Sequence, residues 1–194
     1  NTDEEWRASR YAREGRSCQS CHMPEGRHLW RGVHDEQMVK SGVAVRAMRP
    51  ERTGGMVEAS LAVRNTGAGH RLPTYVTPAV VAEIYQLDAR GATLPGTLRQ
   101  HVIARRVTLD LQREIADTRL APDEEATLNY REAVHARADS LAYRVRVEPD
   151  AFYTEFFSSI LAGGQAVRGA AMIRAALEQS RRSHFTIFEV RQPL

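Results

Sequence analysis

Cysteine is scarce in this chain of 194 residues: Cys18 and Cys21 are the whole supply. With no second cysteine pair, an all-cysteine zinc site is excluded. Lysine is scarcer still. Lys40 is the only one, so the positive charge is carried by arginine, and the net charge is only +3. The basic stretches 46–52, 105–113 and 181–182 lie among acids, apolar strand residues or other polar residues. None forms a platform of interleaved aromatic and basic residues, which argues against nucleic-acid binding. A solvated basic face is the plain reading, and docking of an acidic partner protein is the other use of such a face. Long apolar runs are absent too: none approaches the roughly 18 residues of a membrane helix. Neither a Ser/His/Asp nor a Cys/His nucleophile arrangement stands out. The acid pairs Glu124–Glu125 and Asp35–Glu36 are adjacent in sequence, so their side chains diverge and make poor acid/base couples. What remains is the composition of an ordinary soluble protein, 42% hydrophobic and 26% charged. Its length suits one domain or two small ones. The sequence begins at Asn1 without a methionine, which fits either removal of a leader or a sequence that starts late in a longer one, and no signal peptide remains to be read.

Both cysteines fall in "SCQSCHMPEGRH", residues 17–28. A gap of two puts Cys18 and Cys21 on one side of a helical turn, spaced to form thioethers with the two vinyl groups of a haem. His22 directly behind them is then aimed at the iron. This C-x-x-C-H string is the attachment signal of c-type haem. The rival readings are weaker. A mixed zinc site would have to recruit His28 and His34. A thioredoxin-like redox pair would need a preceding βαβ pattern, which is missing. A disulfide across two residues would be strained. The expected cofactor is therefore one covalent haem c. Because such attachment occurs outside the cytoplasm, the expected location is periplasmic or secreted.

His22 takes one face of the iron, and the group on the other face decides the chemistry. Met23 adjoins His22 and would have to cross the haem plane, so it reads as packing. His28 lies six residues on. An extended chain reaches about 3.3 Å per residue, which gives roughly 20 Å to round the haem edge, feasible but tight. His34 has more slack but also reads as the polar start of a helix, with Asp35 and Glu36 as first-turn acids. His70 sits in "NTGAGHRLPTY", where Gly67 and Gly69 permit φ > 0 and close approach of backbone to a flat ligand, and Pro73 stiffens the exit. His70 is the first choice for the distal ligand, with His34 and His28 as alternatives. His101, His135 and His184 read as structural or solvated.

Two segments resemble bacterial multihaem c-type cytochromes. In the first, Trp6 and Ser9 precede Cys18, Cys21, His22, Met23 and Pro24, and His28, Trp30, Gly32 and His34 follow as an H-x-[FW]-x-G-x-[HN] string. In the second, Val63, Asn65, Gly67, Gly69, His70, Pro73 and Thr74 match the V-x-N-x-G-x-G-H-x-x-P-T string of a C-terminal β-domain. The resemblance implies electron transfer, an exported location and histidines as haem ligands, with both His28 and His70 important. One departure matters: those relatives carry several haem strings and this chain carries one. A spare histidine here has either lost its iron or reaches a haem held by another chain.

Residues 1–50 read as a haem-binding segment of short helices and loops. A helix is expected within 3–16, with Trp6 and Tyr11 apolar and Gly15 as its stop. Residues 51–194 read as a β-sandwich followed by two helices and a final strand. Strand patterns run through "MVEASLAVRNTG", "AVVAEIYQLDARG", "LRQHVIARRVTLD", "ATLNYREAV" and "SLAYRVRVEP". In the last of these Leu141, Tyr143, Val145 and Val147 alternate with Arg144 and Arg146 facing away. Five or six strands with turn signals between them suggest an antiparallel sandwich, immunoglobulin-like in outline. In "PDAFYTEFFSSILAGG" the period changes, with Phe152, Phe156 and Ile160 on one helical face expected in the core and Gly163 past the end. "QAVRGAAMIRAALEQSRR" is a second amphipathic helix and "HFTIFEV" the last strand. The expected class is α+β: a helical and loop-like haem segment packed on an immunoglobulin-like sandwich with C-terminal helices.

Three functions follow. The first is an electron carrier with one bis-histidine haem and a partner that is another cytochrome or a second copy of the chain. The second is a haem enzyme or gas sensor with an open or loosely closed sixth site. The third is a docking subunit of a larger multihaem complex.

Overall fold

The computed structural model describes residues 1–29, 31–164 and 168–194. Trp30, one of the positions that carry the resemblance, lies outside the described residues, as do 165–167 near the start of the second C-terminal helix. The described chain is α+β, with helices near both ends, most of the strands between them and one last strand after the final helix.

The N-terminal helices are short: α1 Thr2–Ala8, α2 Arg10–Arg13, α3 Cys18–His22 and α4 Glu36–Gly42, with a 3-10 turn at Pro24–Gly26. The single helix expected across 3–16 is two helices broken at Ser9. Its backbone is extended (φ −80°, ψ 165°), and its hydroxyl donates to Trp6 O (2.7 Å) while accepting from Tyr11 N (3.2 Å). A serine that bonds to its own backbone in this way competes with the helix ladder and starts a new helix instead. Gly15, at φ +72°, ends α2 as expected.

Two antiparallel sheets follow. In the first, β3 (Met56–Asn65) is central: β1 (Val43–Ala47) and β2 (Glu51–Thr53) share one of its edges, and β7 (Glu125–Ala133) takes the other. The second has the order β6-β5-β4-β8-β9, built from Glu114–Asp117, Arg99–Val107, Ala79–Asp88, Ala138–Glu148 and Phe185–Pro193. Alternate residues of the two sheets meet in one core. Val57, Leu61, Val63, Leu128 and Tyr130 come from the first sheet; Val80, Ile84, Ile103, Leu141, Tyr143 and Val145 come from the second.

Strands β1, β2 and β6 were not expected. β1 does alternate, but its five residues continue directly from α4 with no turn cue between them, and β2 and β6 are shorter still. The two arginines of β8 do face away from the core. There they meet Glu83, which is 1% exposed and receives Arg144 Nε (2.6 Å), Arg146 Nε (3.1 Å) and Gln100 Nε2 (2.6 Å). Burial pushes the Glu83 pKa up, but these three donors outweigh it and hold the carboxyl below its ordinary range. β4 is therefore covered on both faces, with Ala79 and Val81 packed under Ala151 at the start of α5 (Ala151–Ala162).

The aromatic stripe of α5 is not core as expected, because none of its residues is fully buried. The rings stack on one another instead, Phe152 on Phe156 (6.0 Å) and Tyr153 on Phe157 (5.9 Å). The neighbouring helix α6 (Ala170–Arg182) covers one side of α5, where Thr154 Oγ1 donates to Ser180 Oγ at 2.9 Å.

Candidate functional site

The site starts from a five-residue helix. Ser17 caps α3: its hydroxyl accepts from Ser20 N (3.2 Å), while Ser20 Oγ donates to Ser17 O (2.7 Å). This turn sets Cys18 and Cys21 on one side and ends at His22. Both thiols are free, Cys18 exposed and Cys21 half-buried. Arg16 lies 3.8 Å from Cys21 Sγ and over the Tyr11 ring at 4.9 Å.

His22 and His70 come together although 48 positions separate them. Their ring centroids are 6.2 Å apart and their planes meet at 20°. His22 Nδ1 is 2.5 Å from Arg31 O, and His70 Nδ1 is 2.9 Å from Arg71 O. A carbonyl oxygen only accepts, so each Nδ1 carries a proton, and in the neutral ring this tautomer leaves the lone pair on Nε2. Thr74 Oγ1 lies 3.2 Å from the same His70 nitrogen.

Arg31 is held from its other end by Asp35, whose carboxylate takes Nε (2.5 Å) and Nη2 (3.0 Å) of its guanidinium and also caps Met38 N (3.0 Å). The Arg31 hydrogen bond, helped by the Met38 amide, lowers the Asp35 pKa to about 2. The stability it contributes is therefore complete above the ordinary carboxylate range and is lost as pH falls towards that value.

The loop presenting His70 is built on Asn65, whose amide is fully buried. It donates to His70 O (2.9 Å) and Leu120 O (3.1 Å) and accepts from Ala68 N (3.0 Å). The glycines here differ from expectation. Neither Gly67 nor Gly69 has positive φ. A Cβ on Gly67 would sit 2.2 Å from Ser41 O, and one on Gly69 would sit 3.0 Å from Trp6 Cδ1 and 3.2 Å from Ser9 Oγ. Their missing side chains let α4 and the α1–α2 elbow close on the loop. Trp6 and Ser9, matched only through the resemblance, form that elbow, and Trp6 Nε1 donates to Arg16 O at 2.8 Å.

Cys18, Cys21, His22 and His70 all line one open cavity of about 650 Å³, whose further walls include Tyr11, Leu72 and Val80. Its size is that of a small-molecule or cofactor site. Metal–imidazole bonds of about 2 Å on opposite sides of one metal put ring centroids roughly 6 Å apart, as found for His22 and His70. Paired thiols one turn apart, two imidazoles with Nε2 lone pairs and a mostly apolar wall fit a haem c. Among the described residues no three His, Cys, Asp or Glu side chains converge as a metal site, so the zinc reading lacks its third ligand.

The other two histidines considered as ligands lie elsewhere. His28 is exposed and does not line the cavity. His34 is also outside it, 62% exposed, with Nε2 at 3.2 Å from Asp150 Oδ2. Of the remaining histidines, His135 Nδ1 accepts from Arg137 N (3.2 Å), and His184 Nδ1 meets Arg181 O. Three contributors were not foreseen: the Arg31 and Arg71 carbonyls, which no side-chain pattern announces, and the Tyr11 hydroxyl. Tyr11 is only 3% exposed and donates to Thr66 O, tying α2 to the His70 loop.

No family model and no curated protein matches the sequence. Among solved structures, the chain is similar to a penta-haem cytochrome c552 from Thermochromatium tepidum, with TM-score 0.65 and 19% identity over 100% of this chain and 50% of that one. A β-glucosidase from Kluyveromyces marxianus matches at TM-score 0.29 and 12% identity, over 79% of this chain and 15% of that one, too low to bear on the fold. The chain thus spans half the length of the cytochrome and shares its fold along its own whole length.

Proposed function

We propose that the chain is an electron-transfer c-type cytochrome holding one haem, bound covalently through Cys18 and Cys21, with His22 and His70 as axial ligands. One observation carries this reading: the two imidazoles, from distant segments, meet 6.2 Å apart beside both thiols, each with Nδ1 fixed on a backbone carbonyl. A group bound there supplies a one-electron iron couple. The protein's part is to keep both imidazoles oriented, exclude water with Leu72 and Val80, and leave the Cys18 edge exposed for electron exchange. Residues 1–50 act as the haem-holding segment and 51–194 as the domain that brings His70 to it. The pairing of His22 with His70 supports a closed sixth site over an open enzyme or sensor site.

The proposed location is periplasmic or secreted, where such haems are attached. Among the described residues no helix is long and apolar enough to cross a membrane. The partner is a redox protein, either another cytochrome or a second copy. That the chain spans half of a penta-haem cytochrome favours a second reading, in which it works docked to further haem-bearing chains. The test is the matured protein itself. A mass about 616 Da above the polypeptide, a low-spin spectrum in both oxidation states and slow carbon monoxide binding are expected. A bare polypeptide mass ends the proposal. Low-spin bands that survive His70→Ala would move the distal ligand to His28 or His34.

A further inference from the structure

The loop that ends in His70 continues through 71–74 and is fastened to a segment nearly fifty residues away. Leu72 and Leu120 form an isolated antiparallel bridge with both amide bonds at 2.9 Å. Immediately before Leu120 stands Arg119, whose side chain is only 10% exposed. Its Nη1 donates to Thr74 O at 2.8 Å, its backbone carbonyl accepts from Arg71 Nη1 at 3.1 Å, and its fork closes on Asp117 with Nε–Oδ1 2.8 Å and Nη2–Oδ2 2.7 Å. Asp117 ends β6, in the five-stranded sheet. Arg119 does not line the cavity. The chain of contacts runs from the sheet through Asp117 and Arg119 to Thr74, whose hydroxyl meets His70 Nδ1.

We propose that Arg119 is a positioning residue for the sixth haem ligand: held by Asp117, it locks the 71–74 strap so that His70 stays directed at the cavity. The inference rests on the reading of His70 as that ligand. A planar fork is needed, because one guanidinium must satisfy both oxygens of Asp117 and still turn a third N–H to Thr74. A lysine offers a point charge that cannot do all three. Arg105 is the built-in contrast. Its Nε pairs with Glu114 at 2.7 Å across the same β5–β6 hairpin, and its hydrogen bonds do not reach the strap.

The experiment uses matured holoprotein, with the fold followed by far-ultraviolet circular dichroism. Arg119→Met, Arg119→Lys, Asp117→Asn and Arg105→Met are compared by ferrous spin state, carbon monoxide association rate and midpoint potential. With one charge-assisted anchor lost, the fraction of protein with His70 released rises about tenfold in Arg119→Met, and carbon monoxide association rises in proportion. The potential moves upward as the distal imidazole weakens. Arg119→Lys recovers part of the effect, Asp117→Asn shows a smaller one, and Arg105→Met shows none. A folded Arg119→Met with unchanged spin state, association rate and potential overturns the proposal. If that variant does not fold, the same three readouts on Asp117→Asn decide it. His70→Ala separates the two levels. If it stays low-spin, the ligand assignment falls and this inference with it; if it opens the iron while the Arg119 variants do not, only the role of Arg119 falls.

Discussion

The sandwich and the N-terminal segment are stabilised by different means. Strands β3, β4 and β8 supply most of a core in which Leu61, Ile84, Leu141 and Tyr143 have no exposure at all. Among the described residues of the stretch 1–42 only Tyr11 and Val39 are buried large apolar side chains, and no helix described there exceeds seven residues. Helices that short do not stand alone in water. They are held by caps at Ser9, Ser17 and Asp35, by the Tyr11 and Asn65 contacts to the His70 loop, and, in the proposed function, by the haem. A scaffold with its own core can therefore present a ligand to a segment that has almost none.

Removing the tether gives the largest contrast. Cys18→Ala with Cys21→Ala should abolish covalent haem entirely. Hydrogen exchange should then accelerate across residues 1–42 while β4 and β8 keep their protection; equal loss in both regions would erase the distinction. Leu61→Ala tests the converse. It should cost about 2–5 kcal/mol of global stability, as for a well-packed core leucine, yet leave the haem spectrum unchanged below the lowered melting temperature. Glu83→Gln probes the one buried charge of the sandwich. Removing the charge that faces the partly buried Arg144 and Arg146, of which Arg146 keeps Glu148 as a partner, should cost about 2 kcal/mol at neutral pH. Because the Glu83 carboxyl is held below its ordinary range, the native protein keeps this contribution above that range and loses it as pH falls through the folded value. Denaturation midpoints of native and variant protein should converge in acid, and a constant gap would refute the assignment. Ser9→Ala is the smallest change, about 1 kcal/mol from a lost cap. It should appear as faster exchange at Tyr11 and Ala12 with β-sheet exchange unaffected.

The legible parts were those whose information is local. Cys18, Cys21 and His22 declare themselves within five residues, and β8 shows its face through Leu141, Tyr143, Val145 and Val147. Strands of three to five residues, such as β2 and β6, contain too few alternations to register. Gly67 and Gly69 were visible as unusual, but the reason, contact with Ser41, Trp6 and Ser9, depends on how distant segments fold back. Arg31, Arg71 and Arg119 were illegible as contributors, because what they offer the site is a main-chain oxygen or a contact some fifty residues away. The aromatic stripe of α5 misled, since helical periodicity reports that a face is covered but not how completely.

Both imidazoles at the cavity rest on peptide oxygens and not on acidic side chains. A peptide oxygen survives any substitution at its own position and neither gains nor loses a proton across the pH range of life. The acceptor facing each Nδ1 is thus a group that no substitution at positions 31 and 71 deletes and no change of acidity titrates, a useful property for a pair of side chains whose angle must not wander.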